Sequence, residues 1–331
     1  MPGIAFPAKE STMARLPKIA DLAPNVSGWG FFLCSRKEVR SGRTGNEYLE
    51  VSLQDVSGEA KAKVFQDVDA IKLEFDAGEF VKAQGRTNLY QGRLEIILDK
   101  IRRVIPDRDA VDGFREDECI RCAPRPVDEM WAELMGRIDS VHDPVLRSLL
   151  LAVIARHGDR LRIWPAARTV HHAYRSGLLE HVLQIMTVSV FLADQYGARR
   201  DLLIAGALLH DIGKLQELSY ETATDYSVEG NLIGHIVIGV GMLKDAVREQ
   251  GNVPEELVME LEHLILSHHG ALELGSPIPP KTVEAFLLAA VDDLDATLHQ
   301  VRRHIAEDDS PGRFTSMNRR LDRSLFKPSV S

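Results

Sequence analysis

The sequence predicts a multidomain protein, an all-β barrel followed by an all-α domain, on three observations. Between Trp29 and Val104 the apolar residues alternate in short runs, which is the period of half-buried strands. From Val127 onward the period is helical almost throughout, with breaks expected at Gly158, Gly197 and Gly251. Residues 106–126 carry Pro106, Gly113, Pro124 and Pro126 among many charges and read as a linker. The chain has 331 residues, 44% of them hydrophobic, which is enough for two cores.

Residues 1–24 hold four prolines and no clear period, an irregular lead-in. Leu49, Val51 and Leu53 share a face of one run; Ala60, Ala62 and Val64 share a face of the next, with Asp55-Val56-Ser57-Gly58 as the turn. A short helix over 68–75 follows, then a strand over 80–87, a turn at Gln91-Gly92 and a strand over 93–97. Five strands with a helix between the third and fourth is the order of an OB-fold barrel, assigned here to residues 25–105. With the apolar positions inward, Lys61, Lys63, Phe65, Lys82 and Arg86 point outward, and Tyr48 joins them. Cations that track phosphates and rings that stack on bases suit single-stranded RNA or DNA, while an ordinary solvated face is the equal alternative.

A net charge of −9 argues against a polyanion partner, but its distribution matters more. Residues 1–110 hold 17 Lys+Arg against 16 Asp+Glu, and the remainder hold 23 against 33. The acid excess lies in the helical part, where bound cations would offset it. Cys34, Cys119 and Cys122 cannot form a disulfide framework, and Cys119-x-x-Cys122 is half a zinc tetrahedron, so all three read as incidental thiols. There is no run of about 18 uncharged apolar residues and no charged-then-apolar leader. A soluble, cytoplasmic protein is expected.

The helical domain, 127–308, is organised around Leu208-Leu209-His210-Asp211-Ile212-Gly213-Lys214 at the end of the apolar run 202–207. That run reads as a buried helix, so it carries a His-Asp pair inside, where ionisable groups need a partner. On a continuous helix Lys214 shares a face with His210 and Asp211, and a lysine over a metal pair suggests a phosphate substrate. His181, His235 and His268, with His269 beside it, also fall on apolar faces, and Asp292 enters at the end of the apolar run 287–291. Taken singly, each is more often a satisfied core residue. Seven such groups on the helices of one domain would leave buried polar atoms unpaired unless a metal collects them. His181, His210, Asp211 and Asp292 suffice for one ion, and His235, His268 and His269 for a second bridged by Asp211. Imidazole and carboxylate donors fit Mn²⁺, Fe²⁺, Co²⁺, Ni²⁺ or Zn²⁺, and Mg²⁺ less well.

The order His, His-Asp, His, His-His, Asp resembles the HD superfamily of metal-dependent phosphohydrolases. The stretches His171-His172 to His181, Glu229 to His235, Leu266-Ser267-His268-His269-Gly270, Gly275-Ser276-Pro277 and Leu294-Asp295-Ala296 are similar to the YhaM family of 3′ to 5′ exoribonucleases. So is the ending Asp322-Arg323-Ser324-Leu325-Phe326-Lys327-Pro328. Ala290 and Asp293 depart from the aromatic residue and asparagine of that family. The resemblance implies an OB-fold that holds single-stranded RNA, or DNA, and an HD domain that releases nucleoside 5′-monophosphates through a metal-activated water. Mn²⁺ is the first expectation. Asp211 and Lys214 are the expected catalytic pair; Arg168, His171, His172 and Tyr174 are candidates for gripping the terminal nucleotide. Two other functions are compatible with the residues: hydrolysis of small or cyclic nucleotides, and a non-enzymatic binding module. The tail 309–331 holds a basic segment, from Arg313 to Lys327, suited to docking on a second copy or packing on its own domain.

Overall fold

The computed structural model describes residues 14–41, 46–90, 93–167, 172, 174–220, 224–308 and 310–328. Two compact units emerge, one ending at Cys122 and one beginning at Ala123.

The first is a closed five-stranded barrel, β1 (Ser27–Ser41), β2 (Glu47–Asp55), β3 (Gly58–Val64), β4 (Phe80–Tyr90) and β5 (Arg93–Arg103), in the order β1-β2-β3-β5-β4. All pairs are antiparallel except β3 with β5. Leu49, Val51, Leu53, Ala62 and Val64 fill the interior as their alternation requires, with Phe32, Phe75, Val81 and Ile96. The helix between β3 and β4 is shorter than expected, α1 (Val68–Ile71).

Residues 106–122 are not a linker. Through α2 (Pro106–Asp109) and α3 (Glu116–Cys119) they pack on the outside of the barrel, where Phe31, Val104 and Cys119 form a small second core with Trp29, Phe80 and Phe114 around it. The segment is tied down by Asp109, fully buried, which accepts two 2.7 Å hydrogen bonds from the Arg102 guanidinium and one from the Ile105 N–H. Proline and charge density had a local meaning here: Pro106 opens α2, and the charges pair with the barrel. Burial pushes the Cys34 and Cys119 thiols up to about 12, so both stay protonated.

The second unit is helical: α4 (Val127–Asp139), α5 (Pro144–Ile163), α6 (Gly177–Tyr196), α7 (Arg200–Leu209), α8 (Lys214–Glu217), α9 (Val228–Ile233), α10 (His235–Gln250), α11 (Glu255–Ser267) and α12 (Val283–Glu307). It is not purely so, because a small hairpin, β6 (Leu218–Tyr220) with β7 (Thr224–Tyr226), follows α8. Gly197 and Gly251 end helices at positive φ. Gly158 is a correction: it lies inside α5, where a Cβ would come within 2.7 Å of the Trp131 ring, so glycine serves packing rather than a break. Asp143 caps α5 through the N–H groups of Val145 and Leu146. Among the described residues one helix, α6, has the length and apolar content of a membrane span; its Leu178, Leu179, Val182, Ile185 and Met186 are buried in the core. Residues 310–328 fold back on themselves, pairing Phe314 with Phe326 and Asn318 with Arg323, and Ser316 meets His304 of α12.

Candidate metal centre

Every residue of α7 from Leu202 to Leu209 is buried, so the helix delivers His210 and Asp211 into the interior. The helix does not continue through Lys214 as expected. It ends at Leu209, and a turn over 210–213 leads to α8. Gly213 makes that turn possible against α10, since a Cβ there would lie 2.0 Å from the His235 carbonyl oxygen. Lys214 Nζ still reaches back to donate to Asp211 Oδ2 at 2.6 Å.

All seven expected ligands meet. His181 Nε2, on α6, lies 3.2 Å from His210 Nε2, 3.4 Å from Asp211 Oδ2 and 3.3 Å from Asp292 Oδ1. His210 Nε2 is 3.4 Å from Asp211 Oδ2. The other Asp211 oxygen, Oδ1, faces His235 Nε2 at 3.6 Å and His268 Nε2 at 3.7 Å. The nitrogens of His235, His268 and His269 lie within 4.8 Å of one another, as do the donor atoms of His181, His210 and Asp292. Asp211 therefore stands between two donor groups.

Three of these atoms, Asp211 Oδ1, His235 Nε2 and His268 Nε2, are buried with no hydrogen-bond partner. An unpaired buried polar atom costs about 1–3 kcal/mol, and three that face one another ask for a common partner. The donor set is all nitrogen and carboxylate oxygen, which fits a divalent cation of the borderline type.

Each imidazole is held from behind by its Nδ1. His210 donates to the Ala207 carbonyl at 3.0 Å, His268 to Ile265 at 2.7 Å and His269 to Leu274 at 3.0 Å. His181 donates to Asp295 Oδ2 at 2.9 Å and His235 to Glu217 Oε1 at 3.0 Å. Those bonds fix the tautomer and aim every Nε2 inward. Burial opposes the Asp211 carboxylate, but Lys214, His210 and His181 outweigh it and hold it well below the usual range. Burial likewise opposes protonated His181, yet Asp211, Asp292 and Asp295 hold it well above an ordinary imidazole. His268 goes the other way: burial and neighbouring His210 push it down to about 3, so it is a neutral donor at working pH.

Sequence reasoning assigned no role to Asp295 or Glu217. Asp295 had a signal, three residues after Asp292 on the same face of α12; the partner of Glu217 comes from another element and had none. Of the four residues proposed to grip a nucleotide, Arg168 and His171 lie outside the described residues. His172 is 2% exposed, with Nδ1 on Glu180 at 2.8 Å and Nε2 on Asp295 at 3.3 Å, so it braces the centre from behind. Tyr174 bonds His172 and Glu180 and lines a cavity of about 490 Å³ with His299, Arg302 and Arg125.

On the barrel, Lys61, Phe65 and Arg86 are exposed and the Tyr48 and Phe65 rings lie 5.5 Å apart. Lys63 is half-buried, with Nζ 2.5 Å from Glu95 and 5.1 Å from the centre of the Tyr90 ring. Lys82 is a correction. It points out of the interior as its alternation requires, but residues 106–122 cover it: it is 1% exposed, bound to Asp112 at 2.9 Å and set 4.6 Å from the Trp29 ring centre.

The model of the HD domain matches residues 178–297, and that of an OB-fold nucleic acid binding domain matches 35–104. An HD phosphohydrolase domain that follows a nucleic-acid-binding barrel along the chain is the class that the fold and the donor set define. The 3′-5′ exoribonuclease YhaM of Bacillus subtilis is 34% identical over 96% of this chain and 99% of its own length. Its namesakes in Bacillus pumilus and Listeria innocua are 36% and 35% identical, over 86% and 90% of this chain and 90% and 94% of theirs. The chain belongs to the YhaM family.

Proposed function

We propose that this protein removes nucleotides one at a time from the 3′ end of single-stranded RNA by metal-dependent hydrolysis, releasing nucleoside 5′-monophosphates. The observation that carries it is the ring of inward-facing Nε2 atoms around Asp211, with three buried donors left unpaired. His181, His210, Asp211 and Asp292 would hold one ion, and His235, His268 and His269, with Asp211 shared, a second. Mn²⁺ is the ion proposed first; the donor type also admits Fe²⁺, Co²⁺, Ni²⁺ or Zn²⁺, and Mg²⁺ less well. A bound divalent ion supplies Lewis acidity to the attacking water and offsets phosphate charge.

The chain's own residues do the rest. Asp211 holds Lys214 charged, because its attraction exceeds the penalty of burial and lifts the ammonium above its ordinary value. One Nζ proton is spent on Asp211, which leaves two to meet a phosphoryl oxygen as charge builds on it. The water oxygen bonds to phosphorus and gives up a proton, the bond to the 3′ oxygen breaks, and that oxygen takes up a proton, so that one water is divided between the two products. Tyr48, Lys61, Lys63, Phe65 and Arg86 form the strand-binding face of the barrel. RNA as substrate and three unbridged cysteines support a cytoplasmic location.

The test is 5′-labelled single-stranded RNA with the full chain and Mn²⁺, followed by product length. A ladder that shortens by single nucleotides is expected. Intact RNA beside hydrolysis of small nucleotides would replace this reading with the nucleotide-hydrolase one. For the barrel, Phe65→Ala is expected to weaken binding of single-stranded RNA by about 1–3 kcal/mol, seen by fluorescence anisotropy in chelator. Unchanged binding would remove this face from the interface.

A further inference from the structure

The five imidazoles of the centre are not held alike. Three, those of His210, His268 and His269, donate Nδ1–H to backbone carbonyls, of Ala207, Ile265 and Leu274. The other two donate to carboxylates, His181 to Asp295 and His235 to Glu217. A carboxylate behind an imidazole makes the far nitrogen a stronger donor than a neutral carbonyl does, because the negative charge stabilises the positive charge that ligation places on the ring. The two braced rings lie in different donor groups, one in the set His181, His210, Asp292 and one in the set His235, His268, His269.

Each brace is itself fixed. Glu217 Oε1 accepts from the His235 ring at 3.0 Å and from the backbone N–H of His235 at 3.0 Å, so one oxygen positions the ring and the first residue of α10 together. Asp295 Oδ2 is shared between His181 at 2.9 Å and His172 at 3.3 Å, and His172 is anchored on Glu180. Among the described residues Glu217 belongs to no group of clustered donors; Asp295 forms a group of its own with His172 and His181, but it meets His181 at Nδ1, while Asp211 and Asp292 meet that ring at Nε2.

We infer that Glu217 and Asp295 are positioning residues that set the affinities of two ions separately, Glu217 for the ion at His235, His268 and His269, and Asp295 for the ion at His181, His210 and Asp292. The inference rests on the two-ion reading proposed above.

Glu217→Gln and Asp295→Asn keep the shape and the accepting oxygen of each brace and remove only its charge. The measurement is a Mn²⁺ titration of the full chain in which the free ion is followed by electron paramagnetic resonance, with far-ultraviolet circular dichroism of the metal-free proteins as a check on folding. The wild-type chain is expected to bind two Mn²⁺. Each single variant should keep one ion at wild-type affinity and bind the other about 10–100-fold more weakly, and the double variant should weaken both. A purely structural brace would shift the dichroism or weaken both ions together, and that result, or two undiminished ions in both variants, would overturn the assignment. Fewer than two Mn²⁺ in the wild-type chain would instead remove the two-ion reading itself. If Glu217→Gln does not fold, Asp295→Asn carries the same test at the other ion.

Discussion

Asp211→Ala is expected to abolish 3′-end shortening of RNA, with a loss of at least about 10³-fold in rate, since removing even one preorganised electrostatic group costs about 10²–10³. The reason is its position. Asp211 is the only described carboxylate whose two oxygens face both donor groups, Oδ2 toward His181 and His210 and Oδ1 toward His235 and His268. The same change strands Lys214, which is 8% exposed and gives its charge to Asp211. An uncompensated buried charge costs about 3–5 kcal/mol, so the metal-free variant should also melt at a lower temperature than wild type. Asp211→Ala combined with Lys214→Met should recover part of the stability and none of the activity. Thermal unfolding beside the RNA ladder checks both effects, and a folded Asp211→Ala protein that still shortens RNA would sink the role given to this residue.

Asp109→Ala is expected to destabilise the barrel unit by about 3–5 kcal/mol, because it leaves the Arg102 guanidinium, only 5% exposed, without its bidentate partner. Thermal or urea unfolding of the full chain reads this, and a loss below about 1 kcal/mol would mean that solvent reaches Arg102 after all. The pair also has a pH signature. Burial opposes the Asp109 carboxylate, but Arg102 and the Ile105 N–H outweigh that and hold it below its ordinary value. A group depressed on folding stabilises above its unfolded value, about 3.9, and that share is lost as the pH falls through the folded value. Wild type should therefore lose stability on acidification below about pH 4, and Asp109→Ala should lack that component.

What was legible in the sequence was whatever depends on period. Leu49, Val51 and Leu53 alternate, and the barrel interior follows from that alone. The cluster of candidate ligands was legible because a histidine on an apolar stripe is unusual and seven such groups collect in one domain. Lys82 and residues 106–122 were misread together: alternation says which way a side chain leaves the sheet, and proline and charge say that a segment is irregular, but neither says what the segment packs against. Gly158 looked like a break because the ring it makes room for, Trp131, lies on another helix. Glu217 was invisible for the same cause, since its value lies in meeting His235, which the hairpin and α9 between them bring close.

The backbone and carboxylate bonds to Nδ1 also govern how an ion comes and goes. A surface histidine releases a metal easily because its ring turns aside and water takes its place. Here no ring can turn without breaking the bond behind it, in three cases a bond to a main-chain carbonyl that cannot follow. Departure must proceed ligand by ligand with every donor still aimed at the vacated point, so recapture competes with escape. Exchange is then expected to be slow, so that a purified sample would keep the ion that it met first. Two preparations of the same chain, grown in media with different metals, would differ in activity for as long as neither is stripped and reloaded.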